Sequence, residues 1–131
     1  MSDDFDRALK MLEGFEILPP EFTNAVNDTL EFDPAPARNP VKVHYPGLKE
    51  EIPGLESVTV GCYGDNWGTG RSPADPRREE TVEGYVPGAV LKEAASYRIW
   101  AVVRFKITGE ETELIVRSAD RTYSLKRKAA K

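Results

Sequence analysis

A single cysteine, a single histidine and two methionines among 131 residues leave little material for several kinds of chemistry. Cys62 has no second cysteine to pair with, and one Cys with one His falls short of the four ligands of a Cys/His zinc cage. The expectation is a protein without metal or cofactor. No apolar run approaches the roughly 20 residues that cross a bilayer, so no membrane association is expected. The opening MSDDFDR is acidic where a secretory leader is basic and then apolar, which gives a cytoplasmic expectation.

Other chemistries lack their spacing. The glycines at 64, 68 and 70 are followed by Arg71, Ser72 and Pro73, whereas a P-loop needs lysine with Ser or Thr, and a dinucleotide fingerprint needs a helix. No stretch carries the alternating oxygen ligands of a calcium loop. Cys62 is in phase with Val58 and Val60, the position of a small core side chain rather than a nucleophile. His44 is out of phase with its apolar neighbours and reads as a surface residue of an edge strand. Asp65, Asp75, Glu79, Glu80 and Glu83 show no pairing distance that marks an acid and a base, and they read as solvated or ion-paired with nearby arginines. The chain therefore leans away from enzymatic function.

Charge, by contrast, is abundant: 31% of residues are charged, with a net charge of −4. Residues 1–33 hold nine acids and two bases, and residues 98–131 hold four acids and nine bases. The ends of the chain are thus of opposite sign, suited to attracting each other or to placing a basic end against an anionic partner.

The length suits a single domain over 1–131. Ser2 or Asp3 is placed to cap a helix over 3–13, with Phe5, Ala8, Leu9 and Leu12 on one face and Gly14 at its end. Pro19 and Pro20 introduce a second helix over 20–31, with Phe22, Ala25, Val26 and Leu30 sharing a face. A proline-rich connector, 33–40, leads to a strand region over 41–128. Val41, Val43 and Tyr45 alternate in a short strand whose edge is shielded from pairing by Pro46. Further strands are expected at 58–62, 81–86 and 97–107, with turns at Pro46-Gly47, at Pro87-Gly88 and over 108–111. In 97–107 the odd positions from Tyr97 to Ile107 are apolar, while the even ones carry Arg98, Trp100, Val102, Arg104 and Lys106. The fold class that follows is α+β: two N-terminal helices packed on a twisted antiparallel sheet of five to six strands, ending in a long C-terminal hairpin.

One segment has no apolar period at all: CYGDNWGTGRSPADPRREE, which reads as a long loop over 64–80. Loops of that length in compact domains are usually working parts. Asn66, Trp67, Arg71, Arg77 and Arg78 suit contact with a protein, the tryptophan as anchor and the arginines as carboxylate forks. The leading expectation is a small cytoplasmic binding protein, of inhibitor, immunity or assembly-subunit type, acting through a protein partner. A second is nucleic-acid binding by Arg98, Trp100, Arg104, Lys106, Lys126 and Arg127. A third is a small ligand or substrate held in the concavity of the sheet.

Overall fold

The computed structural model describes residues 3–33 and 38–129. The Ser2 cap and positions 34–37 of the connector lie outside them. Helix α1 (Asp3–Met11) carries Asp3, Asp4 and Asp6 in its first turn and Lys10 in its last, matching the sign of the helix dipole. A 3-10 turn, Leu12–Gly14, finishes it. Phe5, Ala8 and Leu12 are buried, whereas Leu9 is half exposed. No helix among the described residues is long and apolar enough to cross a membrane.

The second expected helix, 20–31, is not one. This stretch forms two short strands, β1 (Glu21–Phe22) and β2 (Thr29–Phe32), around a tight turn at Asn27 and Asp28. Both turn residues have positive φ, 50° and 57°, and Val26 and Thr29 exchange backbone hydrogen bonds of 2.9 and 3.0 Å across them. Asn and Asp tolerate that conformation better than other side chains, so a two-residue reversal is available where a helix would need negative φ. Phe22, Leu30 and Phe32 turn inward, and Val26, assigned to the helix face by its spacing, is 70% exposed.

Seven further strands follow: β3 (Arg38–Tyr45), β4 (Leu55–Gly64), β5 (Ser72–Pro73), β6 (Glu80–Pro87), β7 (Ala94–Ile107), β8 (Leu114–Arg117) and β9 (Arg121–Arg127). They form two sheets instead of one. The smaller has the order β1-β3-β6; the larger has the order β2-β9-β7-β4-β5, with β8 also on β7. The larger sheet is mixed, because β2 runs parallel to β9, from Thr29 opposite Ser124 to Phe32 opposite Arg127. The sheet is thus not purely antiparallel. Of the expected edge strand at 41–45, β1 covers Val41 and Lys42, so β3 is internal there, whereas Val43–Tyr45 pair with β6 alone and His44 faces outward from them.

The fold is sheet-rich α+β with one hydrophobic cluster. Val41, Val43 and Tyr45 of β3 meet Val58, Val60 and Cys62 of β4, the odd residues of β7 from Tyr97 to Ile107, Tyr123 and Leu125 of β9, and Leu30 and Phe32 of β2. Phe15 joins this core edge-on to Phe105, with ring centres 5.4 Å apart, and tilted against Tyr45. The two sheets are stitched at one end by β1 and β9: the Phe22 N–H donates to the Tyr123 hydroxyl at 3.2 Å, and the two rings meet edge-on at 5.1 Å.

That stitch yields a stability prediction. Tyr123→Phe keeps the ring but strands a buried amide N–H, which costs about 1–3 kcal/mol. Urea unfolding should show this loss, while Tyr85→Phe, on an exposed ring, should stay within about 0.5 kcal/mol of the parent.

Candidate binding face

Residues 64–80 do not form a free loop. The chain leaves β4 at Gly64, whose N–H donates to the Trp67 carbonyl at 3.0 Å, and turns back along its own strand. Tyr63 bridges to Gly68, the Thr69 N–H donates to the Cys62 carbonyl at 2.8 Å, and the Cys62 N–H donates to Thr69 Oγ1 at 2.9 Å. Ser72 and Pro73 then pair with Val60 and Thr59. The result is a hairpin. Its continuation is tied to the β3–β4 turn, where the Tyr45 hydroxyl and the Leu48 N–H both donate to the Pro76 carbonyl, at 3.0 and 2.7 Å.

Trp67 points inward. Its ring packs against the core with its centre 6.2 Å from that of Phe22, and a Cβ at Gly64 would overlap the indole, so glycine is what opens the space. Thr69 occupies a similar gap above Gly84, where a Cβ would come within 2.8 Å of the threonine methyl. The indole N–H is enclosed beside the Tyr97 hydroxyl without aligning into a hydrogen bond. Burial, the larger effect, raises the Tyr97 pKa, and its hydroxyl donates to Asn66 Oδ1 at 2.7 Å.

The loop residues singled out by sequence are therefore dispersed. Asn66 is fixed between Tyr97 and the Val90 carbonyl, to which it donates at 2.8 Å. Arg71 meets both oxygens of Glu113, at 3.0 and 3.3 Å, linking the approach to β5 with the approach to β8. Arg77 donates to the Lys49 carbonyl at 3.2 Å, and Arg78 is exposed beside it.

The outer face of the larger sheet is more concentrated. Arg98, Trp100, Arg104 and Lys106 leave β7 on that side, as their phase requires. Register places Tyr63 of β4 opposite Trp100, and Arg117 of β8 opposite Val102. Arg117 lies over the Trp100 ring, 4.6 Å from its centre. Arg104 lies over the Tyr63 ring at 5.5 Å and donates to its hydroxyl at 2.8 Å. Carboxylates from the loops complete the face: Asp65 on Arg98 at 3.4 Å, and Asp120 on Arg117 at 2.8 Å and Arg98 at 3.9 Å. Exposed Ile115 adds an apolar patch. Lys126 and Arg127 stand apart from this group, at the far end of β9, where Leu125 already pairs with Ala94.

Tyr63, Arg117 and Asp120 escaped sequence reasoning, and Asp65, read as solvated or ion-paired with nearby arginines, meets Arg98 of β7. Tyr63 is out of phase with the inward residues of β4, a usable signal, but its place beside Trp100 depends on strand order.

The remaining surfaces are clefts. One of about 480 Å³ lies between the end of α1 and the β3–β4 turn, lined by Met11, Phe15 and Leu48 among others. Two more, of about 420 and 550 Å³, share Glu21, Lys42 and Arg121 on the outer side of the smaller sheet. Ion pairs thread that side, Lys42 with Glu83 at 3.4 Å and Arg121 with Asp28 at 2.9 Å, and His44 Nε2 lies 2.8 Å from a Glu79 carboxylate oxygen. A gap lined by Val41, Val43, Val60 and Val82 between β3, β6 and β4 holds only about 10 Å³. Among the described residues, no cluster of His, Cys, Asp and Glu is arranged to hold a metal ion.

Comparison with family models, with curated proteins and with solved structures returns no significant match for this chain.

Two buried groups make stability sensitive to alkali. Burial pushes the Cys62 thiol from 9.0 up to about 12, and burial followed by the charges of Asp75 and Glu80 pushes the Tyr45 phenol from 10.0 up to about 12. Both are neutral in folded and unfolded chains below pH 9, so their contribution is complete there. Between those ordinary values and about 12 the unfolded chain loses the protons first, and stability falls as pH rises. The urea midpoint should drop steadily from pH 9 to 11, and Tyr45→Phe should make that slope shallower. Trp67→Ala removes a ring packed on the core and should lower stability by about 2 kcal/mol or more; an unchanged melting temperature would place the indole in solvent.

Proposed function

We propose that this chain is a soluble cytoplasmic binding protein, without catalytic activity of its own, that engages a protein partner through the outer face of its larger sheet, as an inhibitor, immunity protein or assembly subunit does. The observation that carries this reading is the pair of cross-strand aromatics, Tyr63 and Trp100, each covered by a guanidinium. Arginine and aromatic side chains held rigid on a strand face lose little freedom on contact, and these residue types dominate protein interfaces. Exposed Ile115 supplies apolar area on the edge strand β8, opposite Arg104.

The same stacking favours protein over nucleic acid. Bases bind such sheets by stacking on open rings, and here Arg117 and Arg104 already lie over them. Asp65 and Asp120 offset the arginines, giving a mixed surface instead of a phosphate track. Asn66 and Trp67 support the face from behind, by holding the hairpin that carries Asp65 to Arg98, and Arg71 stays half exposed on Glu113. Arg77 and Arg78 lie beside the β3–β4 turn instead.

Catalysis has less support. The groups whose pKa values move are Tyr45, Cys62, Tyr97 and Tyr123, displaced chiefly by burial, and Arg121, held by Asp28. Each has a packing or ion-pairing role on view.

The test is affinity capture from the native host with mass spectrometry, with and without nuclease. A protein complex that survives nuclease is expected, and Trp100→Ala with Arg117→Ala should weaken it about 30-fold or more, the effect of losing hot-spot side chains. Loss of the complex on nuclease treatment, or salt-sensitive retention on single-stranded DNA, would support the nucleic-acid reading instead.

A further inference from the structure

Strand β7 is covered along one edge by β4 and along the other by β9 and β8 in turn. Ser118 marks the handover. Its N–H donates to the Ala101 carbonyl at 2.9 Å, and the Ala101 N–H donates to its Oγ at 2.8 Å. The outer edge of β9 is taken by β2. Beside β8, among the described residues, no strand is paired.

This open edge is short and carries a charge at each end, but it has none of the other usual guards, a proline, a lysine or a bulge. Residues 113–117 read Glu-Leu-Ile-Val-Arg. Leu114 and Val116 face the core, while Glu113, Ile115 and Arg117 share the outer side, and Ile115 is 60% exposed.

The order of these residues is self-complementary. In an antiparallel pair related by a two-fold axis through Ile115, position 113 of one copy lies opposite position 117 of the other. Glu113 then meets Arg117 twice, and Ile115 packs against its own equivalent. Within each chain Arg71 already holds Glu113 and Asp120 already holds Arg117, so each new contact extends to an alternating row of four charges. The other free edges do not fit as well. β1 and β5 have two residues each, β2 (Thr-Leu-Glu-Phe) has no basic residue to meet its Glu31, and an axis through Glu83 of β6 sets like charges face to face.

We propose that the chain forms a two-fold dimer by antiparallel pairing of β8 with β8 of a second copy, which joins the two larger sheets into one. The seam shares Ile115 and Arg117 with the partner face and leaves Tyr63 and Trp100 outside it, so each dimer presents two such aromatic pairs.

The purified chain alone tests this, independently of any other partner. Sedimentation over a concentration series up to millimolar should show the mass doubling for the parent. Glu113→Arg and Arg117→Glu should each remain monomeric, since like charges then oppose across the axis. Mixing these two variants should give a heterodimer, and combining both changes in one chain should restore the homodimer. Ile115→Lys, at an exposed position, should abolish association with no change in circular dichroism. A parent that stays monomeric throughout, or single variants that self-associate as tightly as they pair with each other, would overturn the proposal.

Discussion

The registered pairing of β7 with β4 is the constraint on which the rest of this structure depends. It runs from Ile99 opposite Gly64 to Ile107 opposite Leu55, and it fixes at once which side chains enter the core and which form the outer face. A slip of one residue would exchange Phe105 and Ile107 for Arg104 and Lys106 in the interior. Burying those charges is far costlier than any contact the slip would create. The apolar cluster thus selects the register, and the register in turn sets Trp100 beside Tyr63.

The hairpin after β4 extends this arrangement. Tyr63 is the last outward residue before the turn and Cys62 the last inward one but for Gly64, so the strand must stop its alternation where the indole arrives. Gly64 allows that arrival, and Gly84 admits Thr69 on the facing sheet. Thr69 spends its hydroxyl on the Cys62 amide, which keeps the returning chain close to β4. Asp65 is carried to Arg98 by the same turn. Packing below the sheet and charge pairing above it therefore share one short segment.

Much of the larger sheet was legible in the chain itself because β7 alternates from Tyr97 to Ile107 with only Val102 buried out of phase, and an antiparallel strand with one wet face imposes that alternation. Arg98, Trp100, Arg104 and Lys106 followed directly. The stretch from Phe22 to Leu30 was not legible in the same way, since Phe22, Ala25, Val26 and Leu30 satisfy a helical period while Phe22, Leu30 and Phe32 also satisfy a period of two. Positive φ at Asn27 and Asp28 decides between them, and nothing in the apolar spacing reports it. Arg117 and Tyr63 reach Trp100 from other strands, a meeting set by strand order, which periodicity does not contain. The direction of Trp67 depended on a gap left by a glycine three residues earlier.

The parallel contact of β2 with β9 has a consequence for how the chain is completed. Leu30 and Phe32 must find strand β9 at the other end of the described fold, and the Phe22 amide must find a hydroxyl 101 residues away. Contacts of such separation close slowly and leave apolar strands uncovered in the meantime. The core is therefore incomplete until the two ends of the fold meet, and a chain in which β9 has yet to find its place keeps Phe22, Leu30 and Phe32 in water.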